Sequence, residues 1–268
     1  MPELEKESIH LVVTSPPYWN IKDYGNPNQI GFRDGLFEYF AKLNRVWGEC
    51  IRVLKPGCRL CINIGDEYLR ASKGVPYNIE PLHARLVNSI MTKNSKRLQY
   101  LGSIIWNKIP TTKTSGGASV MGSYGYPRNG YVSYNYEYIA IFRKLGAPIP
   151  PPEWKDEERI EIDEWRLLFN GTWVFNGVRQ EGGLAIFPDE LPRRLIRMFT
   201  YRGDTVLDPF LGSGTTSRVA LEMGRNSVGY EIGFEIPGED WKELIKRKVH
   251  YYDPDLPVRS RDEVFQLE

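Results

Sequence analysis

Two strings of this chain combine residue types that can do chemistry. The first, Thr14-Ser15-Pro16-Pro17-Tyr18-Trp19-Asn20, sets a hydroxyl and a carbonyl on a stiff proline backbone beside two aromatic rings. Each proline holds φ near about −65°, so the Ser15 hydroxyl and the Pro16 carbonyl keep a fixed spacing, with Pro17 stiffening the turn behind them. Two such acceptors suit the exocyclic amino group of a nucleobase, whose lone pair is delocalised into the ring. Accepting hydrogen bonds from its hydrogens localises the lone pair and aligns it with an electrophile. Tyr18 offers a face for the base, and stacking of this kind is worth about 1–3 kcal/mol. The chemistry calls for no covalent nucleophile, and a strong general base is optional because the proton can leave after transfer.

The second string, Asp208-Pro209-Phe210-Leu211-Gly212-Ser213-Gly214-Thr215-Thr216, follows the apolar pair Val206-Leu207. A glycine pair lets backbone approach a ligand closely, and a helix starting behind it presents free N–H groups. The next apolar stretch ends at Glu231, placed to accept the two hydroxyls of a ribose. Ser217 stands where a dinucleotide fingerprint has its third glycine, which argues against a pyrophosphate ligand. Thr215 and Thr216 suit a single small anion, such as a methionyl carboxylate. S-adenosylmethionine (SAM) joins that carboxylate to a ribose and an adenine, and is the expected cofactor.

The elements that must position these strings are legible in outline. Ile9-His10-Leu11-Val12-Val13 is a continuous apolar run, the pattern of a strand covered on both faces. Leu36, Phe37, Phe40, Leu43, Val46, Trp47, Cys50, Ile51 and Leu54 recur at helical spacing, with Asp34 as N-cap and Lys55-Pro56-Gly57 as stop. Strands are expected over Cys58–Ile64, around Leu101–Trp106 and over Tyr136–Phe142, with a helix from about Asn78 to Met91. Residues 108–133, rich in Thr, Ser, Gly and Tyr, read as a long loop. Ala147–Pro152 reads as a stiff connector and the acidic stretch after it as a linker. A helix beginning with Pro188 at its first position precedes a strand over Asp204–Asp208, a helix over Thr215–Met223 and a strand over Ser227–Glu231. Strand, glycine loop, helix and strand in that order indicate a parallel, doubly wound sheet.

At 268 residues, 41% of them hydrophobic, the chain suits a single α/β domain over 1–268 with a sizeable core. A formal net charge of +1 says nothing for nucleic acid, but its distribution is uneven. Lys96, Arg97, Lys108, Lys113, Arg128, Arg143 and Lys144 stand against Glu137 alone, whereas the stretch from Glu153 to Arg166 is acidic. A basic middle is compatible with a polyanion-facing surface. There is no signal-peptide pattern and no bilayer-length apolar stretch, so a cytoplasmic, nucleoid-associated protein is expected. Cys58-Arg59-Leu60-Cys61 has CxxC spacing, but it lies in a buried-strand pattern without a second Cys or His pair, and reads as structural thiols.

In this order the two strings resemble the SAM-dependent DNA amino-methyltransferases, the N4-cytosine/N6-adenine family, in the β-class arrangement where the catalytic motif precedes the cofactor motif. The resemblance covers most of the chain. It includes Val53–Gly57 with Ile64-Gly65-Asp66, Ile105–Lys108, Glu137–Lys144 and Phe187–Leu191 beside the two strings. It implies a Rossmann-like α/β fold: a seven-stranded, mostly parallel sheet with helices on both faces and an antiparallel hairpin strand. It implies that Asp208, Phe210, Gly212, Gly214, Thr215, Thr216 and Glu231 line the SAM site, with Pro209 and Ser213 in the same loop and Phe187 as a wall. Ser at the first catalytic position is associated in that family with N4-cytosine products, and Asp with N6-adenine. Two departures stand out. Only Met1–Ser8 precede the catalytic strand, so residues after Pro237 are expected to supply a sheet edge unless the start is trimmed. Gly183–Ile186 replaces a His-Pro-Ala pattern.

The implied partner is double-stranded DNA with the target base flipped out, with a cognate restriction endonuclease acting separately. Recognition insertions are expected at about 111–135 and 148–170. Lys113, Tyr126 and Arg128, with Trp19 beside the catalytic turn, are the candidate DNA contacts, and the loop Asn20–Arg33 is the expected clamp on the flipped base. Competing readings are an N6-adenine enzyme, an RNA amino-methyltransferase, a non-catalytic nucleic-acid-binding subunit and a nicotinamide oxidoreductase.

Overall fold

The apolar run near the N-terminus becomes a strand because both its faces are covered: Val12 enters one core, Leu11 and Val13 another. The computed structural model describes residues 1–69, 71, 76–109, 121–122, 126–132, 135–178 and 187–232. In chain order the elements are β1 (Ile9–Thr14), α1 (Leu36–Val53), β2 (Leu54–Ile64), β3 (Glu67–Leu69), β4 (Asn78–Glu80), α2 (Leu82–Asn94) and β5 (Leu98–Ile109). They continue with β6 (Met121–Gly122), β7 (Gly130–Tyr131), β8 (Tyr136–Lys144), α3 (Ile162–Leu168), β9 (Thr172–Asn176), α4 (Glu190–Phe199), β10 (Thr205–Asp208), α5 (Thr215–Glu222) and β11 (Asn226–Gly229).

Seven strands form one sheet in the order β11-β10-β1-β2-β8-β5-β9. Only β8 runs against its neighbours; the other pairings are parallel. Residues of alternate parity leave opposite faces of the sheet. Leu60, Ile62, Ala140 and Phe142 pack under α1 and α2 against Tyr39, Leu43, Trp47, Leu86 and Ile90. Cys61, Ile139, Ile141 and Val206 pack under α4 and α5 against Leu191, Leu195, Val219 and Ala220. The sheet and its two helical layers are the expected ones.

The two crossovers from the centre leave in opposite directions. β1 passes through α1 to β2, and β10 passes through α5 to β11, so the order reverses between β1 and β10. In open α/β sheets that reversal leaves a crevice outside the carboxyl ends of the strands, where ligands bind. Both chemical strings begin at this point. Among the described residues no helix is long and apolar enough to cross a membrane.

Several local expectations are corrected. Asp34 does not cap α1; Gly35 does, while the Asp34 carboxylate accepts from the Gly31 N–H (2.8 Å) and Lys42 Nζ (2.5 Å) and closes the preceding turn. α1 does stop just before Lys55-Pro56-Gly57, at Val53, but that tripeptide lies inside β2. A register shift against β1 absorbs the proline, with Ile9 opposite Leu54 and Leu11 opposite Arg59. Asn78–Glu80 is a strand, not a helix start, because Pro81 holds the residue before it extended. Pro188 lies before α4, whose first residue is Glu190. The acidic stretch is no linker either: Glu158 holds Arg202 (2.8 Å) and Arg225, and Glu164 holds Arg197 (2.9 Å). The CxxC thiols are structural, with Cys61 fully buried and the Cys58 thiol pushed up to about 11 by burial.

Candidate active site

The two strings meet because β1 and β10 are adjacent and parallel. Thr14, the last residue of β1, donates its hydroxyl to Asp208 Oδ1 at 2.6 Å, and Asp208 is the last residue of β10. Thr216 donates to Oδ2 at 2.7 Å, and the Phe210 N–H to Oδ1 at 3.0 Å. One buried carboxylate therefore ties the catalytic turn, the glycine loop and the first turn of α5 together. Asp208 and Thr216, expected to line the SAM site, are 1% and 0% exposed and bonded to each other beneath the loop.

The loop itself is zipped to the end of β11. Leu211 N–H donates to the Tyr230 carbonyl (2.8 Å), and Tyr230 N–H to the Asp208 carbonyl (3.0 Å). Gly212 N–H donates to Glu231 Oε2 at 2.8 Å. Gly212 and Gly214 have φ of +54° and +82°, a region that favours glycine, and Gly214 is the N-cap of α5. A side chain at Gly229 would strike Leu211, so close strand–loop packing explains that glycine too. Phe210 packs edge-on to Trp47. Thr215 and Ser213 are nearly buried, and Phe187 sits half-buried at the margin of the α4 core.

These residues fit SAM. The Glu231 carboxylate, an acceptor-only group, stands just past the end of β11 and accepts from the Gly212 and Ile232 N–H groups, the type of group that ribose hydroxyls seek. The N-terminus of α5, capped by Gly214, suits the methionyl end.

On the catalytic side, Pro16 is buried and the Pro17 carbonyl accepts from the Tyr39 hydroxyl at 2.7 Å, which pins the turn to α1. The Ser15 hydroxyl reaches Tyr18 Oη at 3.4 Å, and Tyr18 donates to Glu137 Oε2 at 3.0 Å. Asn63 Nδ2 contacts both Tyr18 Oη (3.1 Å) and Glu137 Oε2 (2.7 Å), and Lys108 Nζ contacts Glu137 Oε1 at 2.6 Å. Burial and the Glu137 charge push the Tyr18 phenol well above its usual range. Asn63, Lys108 and Glu137 were not among the site residues expected from sequence. Their signals were a polar residue inside the apolar run Leu60–Ile64 and a single acid in a basic stretch.

Trp19, expected at the DNA, is committed inward: its indole N–H donates to the Asp34 carbonyl (2.9 Å) and its ring packs on the α1 core. It anchors the loop 20–33, whose Asn26 reaches the carbonyl of Ile232, the residue after Glu231. Tyr126 and Arg128 are exposed, while Lys113, Gly183–Ile186 and the residues after Pro237 lie outside the described residues. The stretch 155–168 sits against the turns that precede β10 and β11, at the end of the sheet away from Ser15.

The family model of the N6/N4 DNA methylases matches residues 9–236. The chain belongs to that family. This methylase is 37% identical to the type II methyltransferase M.MjaI of Methanocaldococcus jannaschii, over 93% of its own length and 88% of that relative. It is 36% identical to M.MthZI of Methanothermobacter thermautotrophicus, over 93% and 74%. A structure of a candidate DNA modification methylase from Thermus thermophilus, complexed with S-adenosyl-L-methionine, superposes with a TM-score of 0.71. It is 30% identical and covers 95% of this chain and 90% of that one. SAM is therefore the methyl donor of this methylase.

Proposed function

We propose that this methylase is a type II modification enzyme that methylates N4 of a cytosine flipped out of double-stranded DNA, alongside a separately acting endonuclease. The observation that carries the reading is Ser15: a hydroxyl on a proline-stiffened turn, one residue from the Thr14–Asp208 bond to the cofactor loop. SAM supplies an activated methyl group on a sulfonium when bound. Ser15 Oγ and the Pro16 carbonyl accept from the target amino group and turn its lone pair toward that methyl. As the N–C bond forms, the electron pair of the breaking C–S bond stays on sulfur and one amino proton departs. Tyr18, with its hydroxyl tied to Glu137, gives the base a wall whose orientation is set before binding. The deciding experiment incubates the enzyme with labelled SAM and mixed-sequence DNA and identifies the methylated nucleoside. N4-methylcytosine is expected; N6-methyladenine overturns the cytosine assignment.

For recognition the proposal rests on 111–135, because Tyr126 is 70% exposed and Arg128 is exposed beside it, whereas 155–168 is held at the far end of the sheet by Arg197, Arg202 and Arg225. Replacing Lys113 and Arg128 together with glutamine should weaken DNA binding and leave SAM binding unchanged. Each lost phosphate contact lowers the slope of log K against log salt by roughly 0.9. Unchanged DNA affinity at low salt would remove both residues from the interface.

A further inference from the structure

A serine hydroxyl carries one proton and two lone pairs, and it serves as an acceptor for an amino group only if its own proton points elsewhere. We propose, resting on the acceptor role assigned to Ser15 above, that Glu137 is the positioning residue that sets this proton order, acting through Tyr18. The order follows from which groups can only donate and which can only accept. The Glu137 carboxylate, paired with Lys108 Nζ at 2.6 Å, is an acceptor on both oxygens. The Asn63 amide gives one N–H to Glu137 Oε2 and one to Tyr18 Oη; turned over, it would set its carbonyl oxygen against the carboxylate. Tyr18 therefore sends its proton to Glu137 at 3.0 Å and takes an Asn63 N–H on one lone pair. Its second lone pair receives the Ser15 proton at 3.4 Å, and both Ser15 lone pairs are left for the target amine. Burial keeps the phenol protonated, so the chain does not break at Tyr18 as pH rises through the working range. Three strands build the device: Asn63 near the end of β2, Lys108 near the end of β5 and Glu137 at the start of the antiparallel β8.

Glu137→Gln tests this with little change of shape. A glutamine amide can donate to Tyr18, which then turns its proton onto Ser15, so that the Ser15 proton faces the amine. The single-turnover rate of methyl transfer is expected to fall about 10–100-fold, with SAM affinity and DNA KM within about twofold. Tyr18→Phe cuts the chain at its middle and should give a similar loss. Because Glu137 acts through Ser15, the double variant Ser15→Ala/Glu137→Gln should be no slower than Ser15→Ala alone. A wild-type rate for Glu137→Gln, or additive losses in the double variant, overturns the proposal. If Glu137→Gln loses its cooperative melt, Tyr18→Phe decides, and a wild-type rate there overturns it. A wild-type rate for Ser15→Ala would instead sink the acceptor reading itself, so the two failures are distinguishable.

Discussion

Ser15→Ala is expected to slow methyl transfer about 10²–10³-fold, the cost of losing one preorganised hydrogen-bond partner at a reacting group. SAM affinity should stay within about twofold, since Ser15 stands on the β1 turn and the cofactor loop is framed by Asp208 and Glu231. The thermal melt should barely move, because among the described residues the hydroxyl's hydrogen bond is the 3.4 Å one to Tyr18. The alanine leaves Pro16, Pro17 and the Tyr39 bond to the turn intact, so the effect is confined to the missing acceptor. Rapid-quench measurement of label transfer to DNA, beside calorimetry with SAM, separates the two quantities. A variant with a normal rate refutes the assigned role, and a variant that loses SAM binding shows that the turn supports the cofactor loop more than the chemistry.

The second large effect concerns Asp208, where alanine and asparagine should part company. Alanine leaves the Thr14 and Thr216 hydroxyls without their shared acceptor inside the core. At about 1–3 kcal/mol for each of the two buried hydroxyls left unpaired, destabilisation of about 2–6 kcal/mol is expected, with SAM affinity down at least about tenfold as the loop loosens. Asparagine keeps an acceptor for Thr14 and the Phe210 N–H and offers an N–H to a Thr216 hydroxyl turned to accept. SAM affinity within about threefold of the parent is expected. Equal loss of SAM in both variants would mean that the carboxylate touches the cofactor itself.

The same pair predicts a pH dependence. Burial pushes the Asp208 carboxyl up to about 6 despite the donors from Thr14, Thr216 and Phe210. The folded value lies above the unfolded 3.8, so the folded state holds this proton more tightly. Its contribution to stability is complete below about pH 4 and is lost as pH rises through about 6. An asparagine at this position has no such loss, so Asp208→Asn should be more stable than the parent by roughly 1–3 kcal/mol at about pH 7.5, the two curves converging near pH 4. Denaturant titrations across that range check the sign. A gap that widens toward acid pH would show the carboxylate to be stabilised, not strained, by its burial.

Sequence alone determined the features that depend on neighbouring residues. The apolar runs of β1 and β2, the helical stripe from Leu43 to Ile51, the glycine loop before α5 and the proline turn after β1 are each local patterns, and each stands where it was expected. Local patterns also misled where one residue type serves two ends. Asp34 reads as a helix cap but closes a turn, and the acidic stretch at 153–164 reads as a solvated linker but pairs with arginines beyond residue 190. Glu137 carried no motif, because its partners Asn63 and Lys108 lie 74 and 29 positions away in sequence. Their meeting depends on the register of β8 against β2 and β5, which pairs Asn63 with Ile139 and Asn107 with Tyr136. Likewise Thr14 and Asp208, 194 positions apart, form one bond because β10 happens to be the parallel neighbour of β1. What the residues can do was written in the two strings. Which side chain holds the Ser15 proton away from the substrate, and which carboxylate locks the cofactor loop, came from the strand order and register that bring distant side chains to one end of the sheet.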